Sequence, residues 1–198
     1  MTASLGLEVE RRELPNGVVL LLHPEPRAPL VALRGSLPAG SSRETPETAG
    51  AAAMTSRLLR RGSRRSSGPE ISARAEDLGA AFGVSSGVET AGFWARCLAP
   101  DTETILQVLR EVLEEPAFPE DQVERTRREI LTQIHEREDS TRYLADAGLF
   151  ESLYPATHPY CRPLLGTAAS ISALTTASLR EFHERWYGPR GIRHLSRT

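Results

Sequence analysis

Lysine is absent from this chain of 198 residues, so all 24 basic side chains are arginines. We read that as codon bias, not as a functional device. Charges nearly balance at a formal −2, which argues against nucleic acid or a membrane surface as partner. There are 2 cysteines, Cys97 and Cys161, with no metal or redox spacing between them. Cys97 falls in an apolar, strand-like run and reads as a buried thiol; a disulfide stays open. Neither cysteine stands beside a plausible base in the sequence, which argues against nucleophilic catalysis. No apolar run approaches the length of a membrane span. The first ten residues lack both a basic start and a long apolar stretch, so they do not read as a leader. The expectation is a cytoplasmic protein, or a periplasmic one if the chain is a piece of a longer exported protein. There is no internal repeat and no low-complexity segment.

What is present is an alternation of short strands and amphipathic helices. Residues 7–14 and 18–22 predict two strands joined at Pro15-Asn16-Gly17, because Asn-Gly tolerates positive φ. Residues 30–37 predict a third strand, and 38–46 a loop rich in Gly, Ser and Pro. Helices are predicted over 47–61, where Ala and Leu dominate, and over 70–80, where Ile71, Ala75 and Leu78 share a face. Two strands follow at 81–86 and 90–99 around Gly87. A helix over 101–114, with Asp101 as its cap, carries Ile105, Val108, Leu109 and Val112. Another starts at Pro119 and carries Val123, Ile130, Leu131 and Ile134; further helices are predicted over 141–153 and 178–186. At this length about 70% of the unfolded surface can be buried, so a sizeable core is expected. Hairpins imply antiparallel pairing. The fold class is α+β, two-layer, a mostly antiparallel sheet with helices packed on one face.

The five histidines make no ligand constellation. His135 and Asp139 stand at i, i+4 with Glu136 beside the histidine, which mimics a metal helix. No third donor is evident, and an exposed, salt-bridged face is the plainer reading. His158, in a Pro-Tyr loop, reads as a turn cap. His183 lacks an i+4 ligand, since Tyr187 stands there. Arg57, Arg60, Arg61, Arg64 and Arg65 form a basic run. It reads as a solvated helix end and loop, with a docking patch for an acidic surface as the alternative.

The segment from Gly50 to Ser63 is the most informative. It reads Gly50-x-Ala52-Ala53-x-x-Ser56-Arg57-x-Leu59-x-x-Gly62-Ser63. This resembles the G-x-A-H-x-x-E-H-x-L-x-x-G-[ST] helix of the insulinase-like peptidases, the family of pitrilysin and mitochondrial processing peptidase. Other pieces agree in order. Leu14-Pro15-Asn16-Gly17-Val18 resembles the family's opening hairpin. Glu44-Thr45 resembles its G-S-x-x-E-T segment. Pro116-Ala117-Phe118-Pro119 resembles the loop before its long helix. His158-Pro159-Tyr160 through Gly166-Thr167 resembles its H-P-Y-x-x-P-x-x-G. Leu174-Thr175 and Phe182 to Tyr187 look like its final L-T…F-x-x-x-Y. The resemblance covers nearly the whole chain and implies the N-terminal half-domain over 1–190. After Arg190 the family continues into a closing strand; here 191–198 reads as an aberrant or truncated tail.

By the same resemblance, Ala53 and Arg57 stand where the family has its two histidine ligands, and Ser56 where it has its glutamate base. The third ligand, a glutamate, corresponds to Gln133, 76 residues beyond Arg57 and followed by Ile134 and Asp139 as in the family's E-I-x-x-x-x-D. Zinc needs three donors and an open position for water. Ala53 has no donor atom, Ser56 is a poor base and Gln133 offers only a neutral amide oxygen. Arg57 is always protonated and cannot ligate. A unit charge about 4 Å from a divalent ion at an effective dielectric of about 20 repels it by roughly 8 kcal/mol. That opposes most of the roughly 10–16 kcal/mol of a structural zinc site. The expectation is no zinc, no other cofactor and no catalysis. The implied role is a structural or peptide-binding wall beside an active zinc-peptidase subunit or domain. Two other readings stand beside it. One is an active zinc metalloendopeptidase with a relocated site at His135, Glu136 and Asp139. The other is a truncated remnant without function.

Overall fold

The computed structural model describes residues 9–25 and 27–187. The end of the expected half-domain, where its closing strand is expected to be missing, and the 191–198 tail lie outside the described residues, as do the first two residues of the 7–14 strand.

The chain is α+β. β1 (Glu10–Glu13) and β2 (Val19–Leu22) form an antiparallel hairpin, with Glu13 opposite Val19. Gly17 at its tip takes φ 85°, and the Leu14 N–H donates to the Val18 carbonyl at 2.8 Å. β3 (Leu30–Leu37), β4 (Ala81–Ser86) and β5 (Ala91–Leu98) form a second sheet in the order β3-β5-β4, antiparallel throughout. The strand pattern implies one sheet, but strand content does not reveal which edges meet, and among the described residues the hairpin pairs only with itself.

The pleat decides which face the helices cover. On β5 the buried positions are Ala91, Ala95 and Cys97, while Trp94 and Leu98 on the other face are exposed. Leu37 and Phe82, across from Ala91 and Ala95, share the buried face. Against it pack α1 (Ala51–Leu58), α2 (Gly68–Glu76) and α3 (Thr102–Glu114). Ile71, Phe82, Ile105, Val108 and Val112 make one apolar cluster. A second joins Met54, Leu58 and Leu59 to Val123 and Ile130 of α4 (Glu120–Glu138), and to Ile171 of α6 (Ala168–Ala173) and Leu179 of α7 (Thr176–Trp186). α5 (Thr141–Leu153) buries no residue, and Leu144, Leu149 and Leu153 are exposed on it. Among the described residues, no helix is long and apolar enough to cross a membrane.

Several boundaries differ from expectation. The first helix begins at Ala51 and not at 47, because Gly50 takes φ 92° and breaks the run. α2 begins at Gly68, where Ser67 and Glu70 form a capping box. Asp101 precedes α3 but makes no side-chain capping bond; the Thr102 hydroxyl donates to the Ala99 carbonyl instead, at 2.8 Å. The sequence pattern predicts no helix over α6. Six residues are too few for a periodic signal, and its Thr167 cap is the only local cue.

α7 starts two residues earlier than its apolar pattern suggests, because Thr175 caps it. The Thr175 hydroxyl accepts the Ser178 N–H at 3.1 Å, and the Ser178 hydroxyl accepts the Thr175 N–H at 2.9 Å. Since α7 packs on α1, this cap supports the helix that carries the site. Thr175→Ala is expected to lower the unfolding free energy by about 1 kcal/mol in urea, with an unchanged slope.

Candidate functional site

α1 is held at both ends by groups distant in sequence. At its start, the buried Glu44 carboxylate accepts the Gly50 N–H at 3.0 Å and the Ala52 N–H at 2.7 Å. These are donors that the first turn of a helix leaves without intrahelical partners. Burial pushes the Glu44 carboxyl up to about 7, against the pull of those two N–H groups and of Arg162. Arg162 also donates to the Glu44 carbonyl. Gly50 is fixed by space as well as by φ: an added Cβ would lie 2.4 Å from Ile171 Cδ1 and 2.6 Å from the Leu165 carbonyl oxygen. The Ser170 hydroxyl donates to the Ala49 carbonyl at 2.8 Å. The segments that resemble E-T, the motif glycine and the H-P-Y loop are thus one assembly around the start of α1.

Beyond its end, the chain turns into a loop tied to α3. The Ser63 hydroxyl donates to the buried Glu111 carboxylate, and Arg74 on α2 donates to the other oxygen at 2.6 Å. Burial works to raise the Glu111 carboxyl, but Ser63, Arg74 and Ser66 together hold it below its ordinary value.

Between these anchors, α1 presents Ala53, Ser56 and Arg57. Ala53 is buried and offers no donor. The Ser56 hydroxyl is buried too; it donates to the Ala53 carbonyl at 3.0 Å and lies 3.4 Å from the Ser86 hydroxyl on β4. The Arg57 guanidinium donates to Gln133 Oε1 on α4 at 2.7 Å. The structure therefore brings Arg57 and Gln133 together across 76 residues. Burial lowers the affinity of Arg57 for its proton; Glu129 opposes this, and Arg137 and Arg61 add to it. A guanidinium nonetheless stays charged across the working pH range. The zinc implied by the resemblance does not fit these side chains: Ala53 has no donor, Arg57 is a cation, and the neutral Gln133 amide oxygen is already engaged by Arg57.

The rival histidine cluster fares differently from its sequence pattern. His135 Nδ1 lies 3.2 Å from Glu138, with side chains 83% and 67% exposed, so its partner is not Asp139. Among the described residues no three His, Cys, Asp or Glu side chains are placed to hold a metal ion, so His135, Glu136 and Asp139 gather no third donor. His158 caps its turn as expected, its Nδ1 accepting the Tyr160 N–H at 3.3 Å. His183 is buried and bonds the Leu113 carbonyl at 2.8 Å, so its role is packing α7. Cys97, buried, and Cys161, partly buried, are both free thiols.

Beside Arg57 lies a cavity of about 950 Å³, lined by α1, the loop after it, the start of α2 and the first turns of α4. The basic run divides there: Arg57, Arg60, Arg61 and Arg65 line this cavity, whereas Arg64 lines a second one near α7. Arg125 of α4 joins the first. Sequence reasoning missed Arg125, because only the helix packing brings it to the run, and passed over Ser63, Ser66 and Ser67, which are interleaved with the run or follow it.

The comparisons with known proteins bear on the family and the fold. The model of the family described as Insulinase (Peptidase family M16) matches residues 19–167. An uncharacterised zinc protease of Streptomyces coelicolor is 28% identical over 186 residues, covering 91% of this chain and 39% of that protein. One of Rickettsia felis is 23% identical over 175 residues, covering 88% of this chain and 42% of that protein. Among solved structures, the peptidase M16 inactive domain from Pseudomonas fluorescens has a TM-score of 0.85 at 30% identity, covering 89% of this chain and 43% of that one. A protease from Helicobacter pylori has a TM-score of 0.85 at 18% identity, a likeness of fold. The chain spans less than half the length of these relatives. A family match over most of the sequence, laid on a shared half-domain fold, means that the chain belongs to the insulinase family of peptidases, M16.

Proposed function

We propose that this chain is a non-catalytic member of its family, a peptide-binding wall that works beside an active zinc-peptidase subunit or domain. The observation that carries the reading is the hydrogen bond between Arg57 and Gln133. It joins, by the resemblance, a position of the histidine pair to the position of the third ligand. Hydrolysis at such a centre needs a polarised water and a general base. Arg57 contributes a cation and Ser56 a hydroxyl engaged by the Ala53 carbonyl, so neither function has a residue to perform it. The Pseudomonas fluorescens structure, described as an inactive domain and 30% identical, supports the same reading. Relatives of more than twice this length leave room for the active half to be another chain or another domain.

The test is a quenched fluorescent peptide of neutral, mixed sequence, incubated with the purified 198-residue chain and zinc. The expected result is saturable binding with no cleavage above the blank. Zinc-dependent turnover that a chelator abolishes would overturn the proposal.

A further inference from the structure

The cavity beside Arg57 has a charge that its own neighbours do not neutralise. Five arginines line it: Arg57, Arg60, Arg61, Arg65 and Arg125. Three of them are paired. Arg61 and Arg125 share Glu129, each at 3.0 Å, and Arg65 meets Glu115 at 2.8 Å. Asp121 is the one acidic residue in the lining itself. Arg57 and Arg60 differ from the other three. Arg57 bonds a neutral amide, and the Arg60 guanidinium lies over the Phe82 ring at 5.3 Å. Among the described residues neither forms an ion pair. They stand three residues apart, Arg57 in the last turn of α1 and Arg60 in the turn that follows it, and both line the same cavity, with Arg60 exposed.

The size and the lining narrow the ligand. At about 950 Å³ the space suits several residues of an extended chain and is far larger than one small anion needs. Its walls carry no aromatic ring, whereas single-stranded nucleic acid is held by stacking on aromatic side chains as well as by positive charge. Val84, Pro69 and Pro119 supply apolar wall, and Ser66 and Ser72 supply hydroxyls. Such a lining has room, apolar wall and hydroxyls for a peptide, with cations set among them.

We infer that this cavity binds an acidic peptide segment, whose carboxylates meet Arg57 and Arg60. The inference rests on the proposed peptide-binding role and names the class of peptide. An arginine that excludes a metal from the cleft then acts as a fork for a carboxylate, a geometry guanidinium suits well.

The test uses the full chain and three fluorescein-labelled octapeptides that differ only in carrying Glu, Gln or Lys at alternate positions, read by anisotropy. The Glu peptide is expected to bind at least tenfold more tightly than the Gln peptide, with no detectable binding of the Lys peptide. Its affinity is expected to fall about tenfold as salt rises from about 0.05 to about 0.3 M. Arg57→Gln with Arg60→Gln is expected to remove that advantage, while Arg142→Gln on α5 leaves it. The wild-type peptides and the salt series give the answer even if the double variant fails to fold. Equal affinity for the Glu and Gln peptides would overturn the inference and leave the peptide-binding role standing. No binding of any peptide would sink both. A single-stranded oligonucleotide of equal charge that displaces the Glu peptide at lower concentration would also overturn it.

Discussion

Dialysed against micromolar zinc, the wild-type chain is expected to retain no stoichiometric metal. The combined variant Ala53→His, Ser56→Glu, Arg57→His and Gln133→Glu is expected to retain one equivalent. Positions 53 and 57 lie four residues apart on α1, so side chains there share one face. The Arg57 guanidinium already reaches residue 133 of α4 at 2.7 Å, so the third position faces the second. Two imidazoles and a carboxylate converging there make the open three-ligand site that catalytic zinc takes. A site of this kind supplies on the order of 10 kcal/mol, far above the about 1–3 kcal/mol that crowding the buried Ala53 position costs. Gln133→Glu alone is the control. It is expected to pair with Arg57 and bring no zinc, since the cation remains. Wild-type chain that held one zinc would remove the non-catalytic proposal. A folded combined variant that held none would show that positions 53, 57 and 133 do not form a ligand frame.

How much of this was legible in the sequence depends on how far apart the interacting residues are. The Asn16-Gly17 turn and the apolar face of α3 are local signals, and both appear where periodicity puts them. The start of α1 is not local. Ala and Leu content favours helix from 47 onwards, but Glu44 takes the N–H groups of Gly50 and Ala52 while Ile171 and Leu165 leave no room for a side chain at Gly50. Propensity over 47–50 loses to contacts up to 121 residues away. The site shows the same division. Positions 53, 56, 57 and 133 could be singled out in the sequence because a motif frame surrounds them. That Arg57 bonds Gln133, that Ser56 turns to the Ala53 carbonyl and that Arg125 joins the basic run are products of helix packing, and no spacing rule encodes them. The division of the strands into two sheets was hidden for the same reason: alternation fixes a strand's faces and leaves its neighbours open.

Glu44 gives the chain a dependence on pH opposite in sign to that of most carboxylates. Its carboxyl is raised from 4.5 to about 7, first by burial, with the Ala52 and Gly50 N–H groups and Arg162 opposing. Below pH 4.5 both the folded and the unfolded chain hold the proton. As pH rises, the unfolded chain releases it first, and the folded state pays the difference until pH passes about 7. The stability this group contributes is therefore full below the unfolded value and lost above the folded one, a fall of about 3 kcal/mol. Carboxylates such as Glu111, held below the ordinary value, slope the other way, so the effect is read as a difference. Urea unfolding of wild type and Glu44→Gln at intervals from about pH 4 to about pH 8 is expected to show wild type losing about 3 kcal/mol relative to the variant across that range. A flat difference would mean that the carboxyl titrates alike in both states; a difference of opposite sign would mean that the two N–H groups outweigh burial. Because those N–H groups open α1, hydrogen-exchange protection at Gly50 and Ala52, taken relative to Glu44→Gln so that base-catalysed exchange cancels, is expected to change over the same interval, carrying the titration of Glu44 into the helix that presents Arg57.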